Sequence, residues 1–297
     1  MPSFHFFGPI NSPSRPPPIA FANLIRLSNQ TGTLLLLFPT LWSLFLASRG
    51  WPDLKLLCIF IFGSFLMRSA GVIMNDLADQ SLDRHVQRTQ HRPLASGQIS
   101  SLQAVVFLFV LLGLAAGLLW FLNPLTLSLS PIALLLAGIY PLCKRFIYIP
   151  QLILGLAFGW GGVMAWAAVR NQLDLSTWIL YATTVCWAVA YDTIYAIQDK
   201  EDDLKIGVKS SAILFGSFIW LGVGFAGLLM LGGLSFIARI NHLGFEYSLA
   251  LIGVAIILGY QIIHLRSEIS SEDAFFLFKQ HSWIGILVLG GILMGLP

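Results

Sequence analysis

The sequence predicts an all-α integral membrane protein with about nine transmembrane helices. Of 297 residues, 57% are apolar and 10% charged, whereas a soluble domain carries about 25% charged residues. Apolar stretches of about 17 to 25 residues, the length that crosses a hydrocarbon core of roughly 30 Å, recur along nearly the whole chain. They run continuously apolar, as in Leu34 to Phe38 and Leu134 to Leu136. A lipid-facing barrel strand would alternate instead, and a helix satisfies its own backbone hydrogen bonds within the membrane.

In order, the nine spans are Gly32 to Ala47, Leu54 to Asn75, Leu102 to Leu122, Leu125 to Leu142, Gln151 to Val169, Thr177 to Ala196, Ala212 to Ala238, Tyr247 to Leu265 and Trp283 to Leu296. Residues 1–20, with Ser12, Pro13, Arg15 and Pro16 to Pro18, lack an apolar signal core and read as a flexible leader. A single transmembrane domain is expected over 21–297. Numbering loops by the spans they join, the N-terminal segment and the 2-3, 4-5, 6-7 and 8-9 loops hold twelve of the 17 Lys and Arg. The opposite face has Arg49, Lys55, Arg170 and Arg239, and Arg68 falls inside the second span. The richer face, with the N-terminus, is therefore expected on the cytoplasmic or matrix side.

The net charge of +3 follows from this asymmetry, and no basic run interleaved with aromatics points to nucleic acid. Cys58, Cys143 and Cys186 lie too far apart along apolar spans to suggest a disulfide or a metal set. The histidines show no close ligand spacing, so neither zinc nor haem is supported.

Eight of the fourteen acidic residues fall into two short segments. The first reads Asn75-Asp-Leu-Ala-Asp79-Gln-Ser-Leu-Asp83, and its i, i+4, i+8 spacing puts Asn75, Asp79 and Asp83 on one face of a helix continuing from the second span. The second runs from Tyr191 to Asp203: Asp199 and Asp203 repeat the spacing, and Asp192 precedes them by two turns. Two carboxylates about 6 Å apart at an effective dielectric near 20 repel by roughly 3 kcal/mol. A cation must compensate if the clusters converge. Carboxylates suit Mg2+, which keeps several waters and bridges one or two acids to substrate phosphates. Arg84, Arg88, Arg92, Lys205 and Lys209 stand near enough in sequence to take remaining phosphate oxygens. Arg68, two turns before Asn75, is either a snorkelling anchor or a buried anion ligand, and the second reading is favoured. Lys144 and Arg145, between Pro141 and Pro150, either mark the positive-inside loop or bind an anion.

With both Asp motifs in hand, the chain resembles the UbiA-type intramembrane prenyltransferases, and within them the branch whose acceptor is 4-hydroxybenzoate. The likeness also rests on Leu34 to Trp42, Met67-Arg-Ser-Ala-Gly71, Arg88-Thr-Gln-His-Arg-Pro-Leu-Ala-Ser-Gly97, Tyr140-Pro-Leu-Cys-Lys-Arg145 and Tyr191-Asp-Thr-Ile-Tyr-Ala196. It implies nine helices around a central cavity, capped by polar loops and open toward lipid. By this resemblance Asn75, Asp79, Asp83, Asp199 and Asp203 bind Mg2+ and polyprenyl diphosphate. Arg26, Arg68, Asp76, Arg88, Lys144, Arg145, Asp192, Tyr195, Asp202, Lys205 and Lys209 are the expected substrate-binding residues. It also implies a step of ubiquinone synthesis in an inner membrane, bacterial in preference to mitochondrial. One departure is the absence of a Lys-Pro pair before the first span, where the chain reads Arg26-Leu-Ser-Asn-Gln.

The expected chemistry is ionisation of the prenyl C–O bond and attack by the ring carbon ortho to the phenol hydroxyl. Other acceptors within the class are dihydroxynaphthoate, homogentisate and haem. A cation-coupled transporter would also carry intramembrane acids, but near the bilayer midplane on broken helices. Here the acids lie at span ends and continue into basic loops.

Overall fold

The computed structural model describes residues 18–84 and 86–297. Residues 1–17 of the expected leader lie outside the described residues, and 18–20 already belong to the first helix. Thirteen α-helices follow one another: α1 (Pro18–Leu24), α2 (Thr31–Ser48), α3 (Leu54–Ala78), α4 (Gln80–Asp83), α5 (Ser101–Leu119), α6 (Pro124–Cys143), α7 (Pro150–Arg170), α8 (Leu175–Tyr195), α9 (Lys200–Ile206), α10 (Ser211–Phe215), α11 (Ile219–Ile240), α12 (Phe245–His264) and α13 (Ser271–Gly295).

Local chemistry sets many of the starts. Ser100 and Gln103 form a reciprocal capping box at α5, and Asp174 and Thr177 form another at α8. Asn123 caps α6 ahead of Pro124, whose missing N–H would be unsatisfied there anyway. The Ser270 hydroxyl accepts from the Asp273 backbone at α13.

Helices α2, α3, α5, α6, α7, α8, α11, α12 and α13 are long enough to span a bilayer. Among the described residues, eight stretches combine that length with sufficient apolarity, and α8 is the exception. The nine expected spans thus each have a long helix, one of them less apolar than the rest. Helix α8 buries Thr177, Thr183, Thr184, Tyr191 and Thr193 against other helices, so its polar groups never need to face lipid. The seventh span is interrupted: α10 ends in a 3₁₀ turn, Gly216–Phe218, opened by Gly216 at φ 55, before α11 begins. The last helix starts twelve residues ahead of the expected Trp283. Its first turns are amphipathic, burying Ala274, Leu277, Phe278 and His281 while Lys279 stays exposed, which mean hydropathy dilutes.

Helix α2 packs on α3, α7 and α13, and α8 packs between α7 and α11. Small residues permit the closest crossings. A Cβ on Gly155 of α7 would lie 2.9 Å from Val185 Cα on α8, and one on Gly162 would lie 2.9 Å from Ser43 Oγ on α2. Trp42 closes the bundle from α2, donating its indole N–H to the Gly285 carbonyl of α13 at 3.2 Å.

Candidate active site

The α3–α5, α6–α7 and α8–α10 connections gather at one end of the bundle. Lys209 N donates to the Lys144 carbonyl at 3.0 Å, and Arg26 reaches Asp76 across 50 residues of sequence. Beneath these loops lies a cavity of about 890 Å³. Its deeper wall is apolar, built from Ile59, Phe60, Met67, Leu112, Leu119, Leu122, Leu134 and Met164. Phe109 and Leu134 line it although 67% and 45% exposed, so the cavity opens sideways between α5 and α6 onto the apolar surface of the bundle.

Both acidic clusters line this cavity, and each straddles a break where a helix ends. Helix α3 stops at Ala78, Asp79 caps it, and α4 resumes to Asp83. The bonds Asp79 N to Asn75 O (2.9 Å) and Asp83 N to Asp79 O (2.8 Å) keep the i, i+4 phase through the break, so Asn75, Asp79 and Asp83 all face the cavity. On the other side α8 ends at Tyr195, a 3₁₀ turn covers Ala196–Asp199, and α9 carries Asp203. Asp192, Tyr195, Asp199 and Asp203 face the same space.

A carboxylate at a helix C-terminus meets the negative end of the dipole, so these acids need bases. Asp76 is buried, and its two oxygens accept from Arg26 Nη2 at 2.9 and 2.8 Å while Arg92 Nη1 lies 3.1 Å from Oδ1. Arg26 reaches that position from a left-handed turn at φ 57, a strain of about 1 to 3 kcal/mol that the ion pair offsets. Arg92 also donates to Asp83 at 2.8 Å, and Lys144 stands 3.6 Å from Asp79. Arg88 takes both oxygens of Asp199. Burial pushes the Asp79 carboxyl above its usual range, against the pull of Lys144. Burial and the neighbouring Asp199 push Asp203 up to about 7.

Arg145 donates Nη2 to the Ala78 carbonyl at 2.8 Å, the last of α3 and one residue before Asp79. Lys209 donates to Phe146 O at 3.2 Å over the Tyr148 ring. Arg68 differs from every other base here. It lines the cavity, pairs with no carboxylate among the described residues, and its buried Nε has no hydrogen-bond partner. Asp202 and Lys205 do not join the site: they bond to each other at 3.1 Å, with Lys205 70% exposed. Sequence reasoning left Gln151 and Ser210 aside, yet both line the cavity. Each is an ordinary polar residue near a span end, without a spacing pattern to mark it.

The acids fit Mg2+ in a particular way. Their donors are all oxygen, but among the described residues no three acid, His or Cys side chains gather closely enough to cage an ion alone. Such a site needs further oxygens from a ligand and from water, as Mg2+ sites built on phosphates do.

Residues 36–293 match the model of the UbiA prenyltransferase family. The chain belongs to that family. It is a multi-pass integral membrane prenyltransferase. It is 48% identical to the 4-hydroxybenzoate octaprenyltransferase of Polynucleobacter asymbioticus, over 93% of this chain and 96% of that protein. It is 47% identical to the enzyme of that name in Hahella chejuensis, over 92% and 91%. In fold it matches the apo structure of a UbiA homolog from Aeropyrum pernix K1, with TM-score 0.74 and 22% identity over 89% of this chain and 98% of that one. A UbiA homolog from Archaeoglobus fulgidus, bound to GPP and Mg2+, gives TM-score 0.68 and 16% identity over 92% and 99%. The resemblance read from the two Asp motifs thus holds for family and fold.

Within this UbiA-family cavity, Arg145 offers a test of geometry against charge. Arg145→Lys keeps the positive charge but not the planar fork. We expect it to lower kcat/KM at least about tenfold, the scale of one charge-assisted hydrogen bond, with wild-type insertion, in initial rates at matched expression. Unchanged kinetics would reduce Arg145 to a topology signal.

Proposed function

We propose that this chain transfers a polyprenyl group from polyprenyl diphosphate to the ring carbon ortho to the hydroxyl of 4-hydroxybenzoate, in a Mg2+-dependent membrane step of ubiquinone synthesis. Two relatives of that name align over nine-tenths of both chains. The observation that carries the reading is one cavity joining two acidic clusters, an Arg68 side chain that pairs with no carboxylate among the described residues and whose buried Nε has no partner, and an apolar passage to the lipid-facing surface.

Asp79, Asp83, Asp199 and Asp203, with Asn75, are the residues that would hold Mg2+. When bound, Mg2+ neutralises diphosphate charge and makes the pyrophosphate a better leaving group. Arg88, Arg92, Lys144 and Lys209 line the same mouth and add positive charge where the leaving group develops its own. The prenyl C–O bond breaks, its electron pair leaving with pyrophosphate. The allylic cation then faces the aromatic ring, while the apolar wall keeps water from quenching it and lets the tail lie in lipid. The ring's ortho carbon forms the new C–C bond, and loss of its proton restores aromaticity.

Arg68 suits the acceptor's carboxylate. It lies seven residues before Asn75 on α3, about 10 Å along the helix axis, so an acid held there directs its hydroxyl end toward the Asp cluster. Arg68→Met removes the charge but keeps much of the length, and it leaves no ion pair broken. The expected result is a KM for 4-hydroxybenzoate at least about tenfold higher, with the polyprenyl diphosphate KM within about twofold. The variant should also lose its preference for acids over uncharged phenols in a panel that includes dihydroxynaphthoate and homogentisate. Wild-type discrimination by Arg68→Met would sink this assignment.

The loops that carry the site face the cytoplasm of a bacterial inner membrane in this reading, since the base-rich loops share one end. Single cysteines at Gln98 and Glu201, both exposed, are expected to label from that side and one at Gln172 from the other. Labelling of Gln98 and Glu201 from opposite sides would break the topology.

A further inference from the structure

Arg88 stands on a strap, residues 86–100, that leads into α5. The strap is well anchored on its own side. Leu94 and Ile99 are fully buried, Gln80 Nε2 donates to Leu94 O at 3.1 Å, Arg84 Nε to Ala95 O at 3.2 Å, and Thr89 Oγ1 to Asp83 O at 3.0 Å. From this base Arg88 reaches across the cavity mouth to the other acidic cluster. Its Nε donates to Asp199 Oδ1 at 2.7 Å, its Nη2 to Asp199 Oδ2, and its Nη1 to the Tyr195 hydroxyl at 2.8 Å. The guanidinium also lies 5.2 Å from the Tyr195 ring centroid, and that ring packs on Phe278 at 4.7 Å. Both oxygens of an acid assigned to the metal are thus already taken by an internal cation.

We propose that Arg88 is an exchange clasp: it occupies Asp199 in the substrate-free enzyme and transfers to phosphate oxygens when a diphosphate arrives, so that the divalent cation enters with the diphosphate and not before it. This rests on the reading of Asp199 as a metal ligand. The physical basis is charge balance. A divalent cation alone at Asp199 would displace the guanidinium and leave two cations side by side without an anion between them. A diphosphate removes that penalty, because its oxygens take the guanidinium in the same bidentate manner while bridging to the metal. Metal and diphosphate are then coupled ligands, each tightening the other by the same factor.

Equilibrium dialysis of detergent-purified protein with Mn2+, with and without inorganic pyrophosphate, tests this, since manganese chelated by free pyrophosphate stands equally on both sides. Wild type is expected to bind Mn2+ weakly alone and at least about tenfold more tightly with pyrophosphate. In Arg88→Gln, Mn2+ alone should bind about tenfold more tightly than to wild type, and the gain from pyrophosphate should fall below about threefold. Arg84, expected from its place in the sequence to reach phosphate, does not line the cavity and among the described residues bonds only a backbone carbonyl, so Arg84→Gln should behave as wild type. Should Arg88→Gln fail to insert, Arg88→Lys serves, with a coupling factor smaller than that of wild type. Equal effects of Arg84→Gln and Arg88→Gln, or undiminished coupling in both Arg88 variants, would overturn the clasp and leave the metal assignment standing. Failure of wild type to bind Mn2+ even with pyrophosphate would remove the metal assignment and the clasp together.

Discussion

Asp79→Ala, Asp83→Ala, Asp199→Ala and Asp203→Ala are each expected to lower kcat at least about 100-fold, the cost of removing a main electrostatic stabiliser from a developing charge. The geometry makes the four losses comparable, because the acids line one cavity from two sides and no three of them cage an ion alone. Two of the deletions also strand a base. Without Asp79, Lys144 has no carboxylate within 4 Å among the described residues, and without Asp199, Arg88 keeps only the Tyr195 hydroxyl. Asp202→Ala is the internal control: its carboxylate pairs with exposed Lys205 outside the cavity, and exposed pairs contribute little, so turnover should stay within about twofold. Initial rates at matched membrane expression separate the two classes. Near-wild-type turnover in Asp79→Ala or Asp199→Ala would end the two-cluster account.

Both Asp clusters were legible in the sequence because charge inside an apolar span is costly and rarely silent, and because i, i+4 spacing survives even where the helix breaks at Asp79. The partners of those acids were not legible. Asp76 is held by Arg26, 50 residues away, and by Arg92, so it clamps the cap around the site, and only the tertiary fold creates that three-way contact. The unmatched state of Arg68 is likewise invisible in one dimension. The span at α8 was legible from Thr177 to Ala196 despite its polar residues; Thr183, Thr184 and Thr193 are buried against protein, so a hydropathy scale that treats them as facing lipid understates it. The last span was legible from Trp283, but the twelve residues of α13 ahead of it were not, because its first turns divide cleanly into a buried face with Leu277 and His281 and an exposed one with Lys279.

Removing divalent cations has the second large expected effect. Chelation with EDTA should reduce turnover to background, and added Mg2+ should restore it, because uncompensated carboxylates at the cavity mouth would repel a diphosphate. The bases in place do not substitute for the ion: Arg26 and Arg92 hold Asp76, and Arg88 is committed to Asp199. Full turnover in metal-free buffer would contradict the assignment of the Asp clusters.

The central claim is carbon prenylation of an aromatic acid in this cavity, and product analysis tests it most directly. Purified protein in detergent would be given Mg2+, a polyprenyl diphosphate and 4-hydroxybenzoate, with the product identified by mass spectrometry and its linkage by proton NMR. The account predicts one prenyl group in place of the ring hydrogen ortho to the hydroxyl, a free phenol and a free carboxylate, and one pyrophosphate released per product. A prenyl ester or ether, or free prenyl alcohol with the acid unchanged, would contradict it.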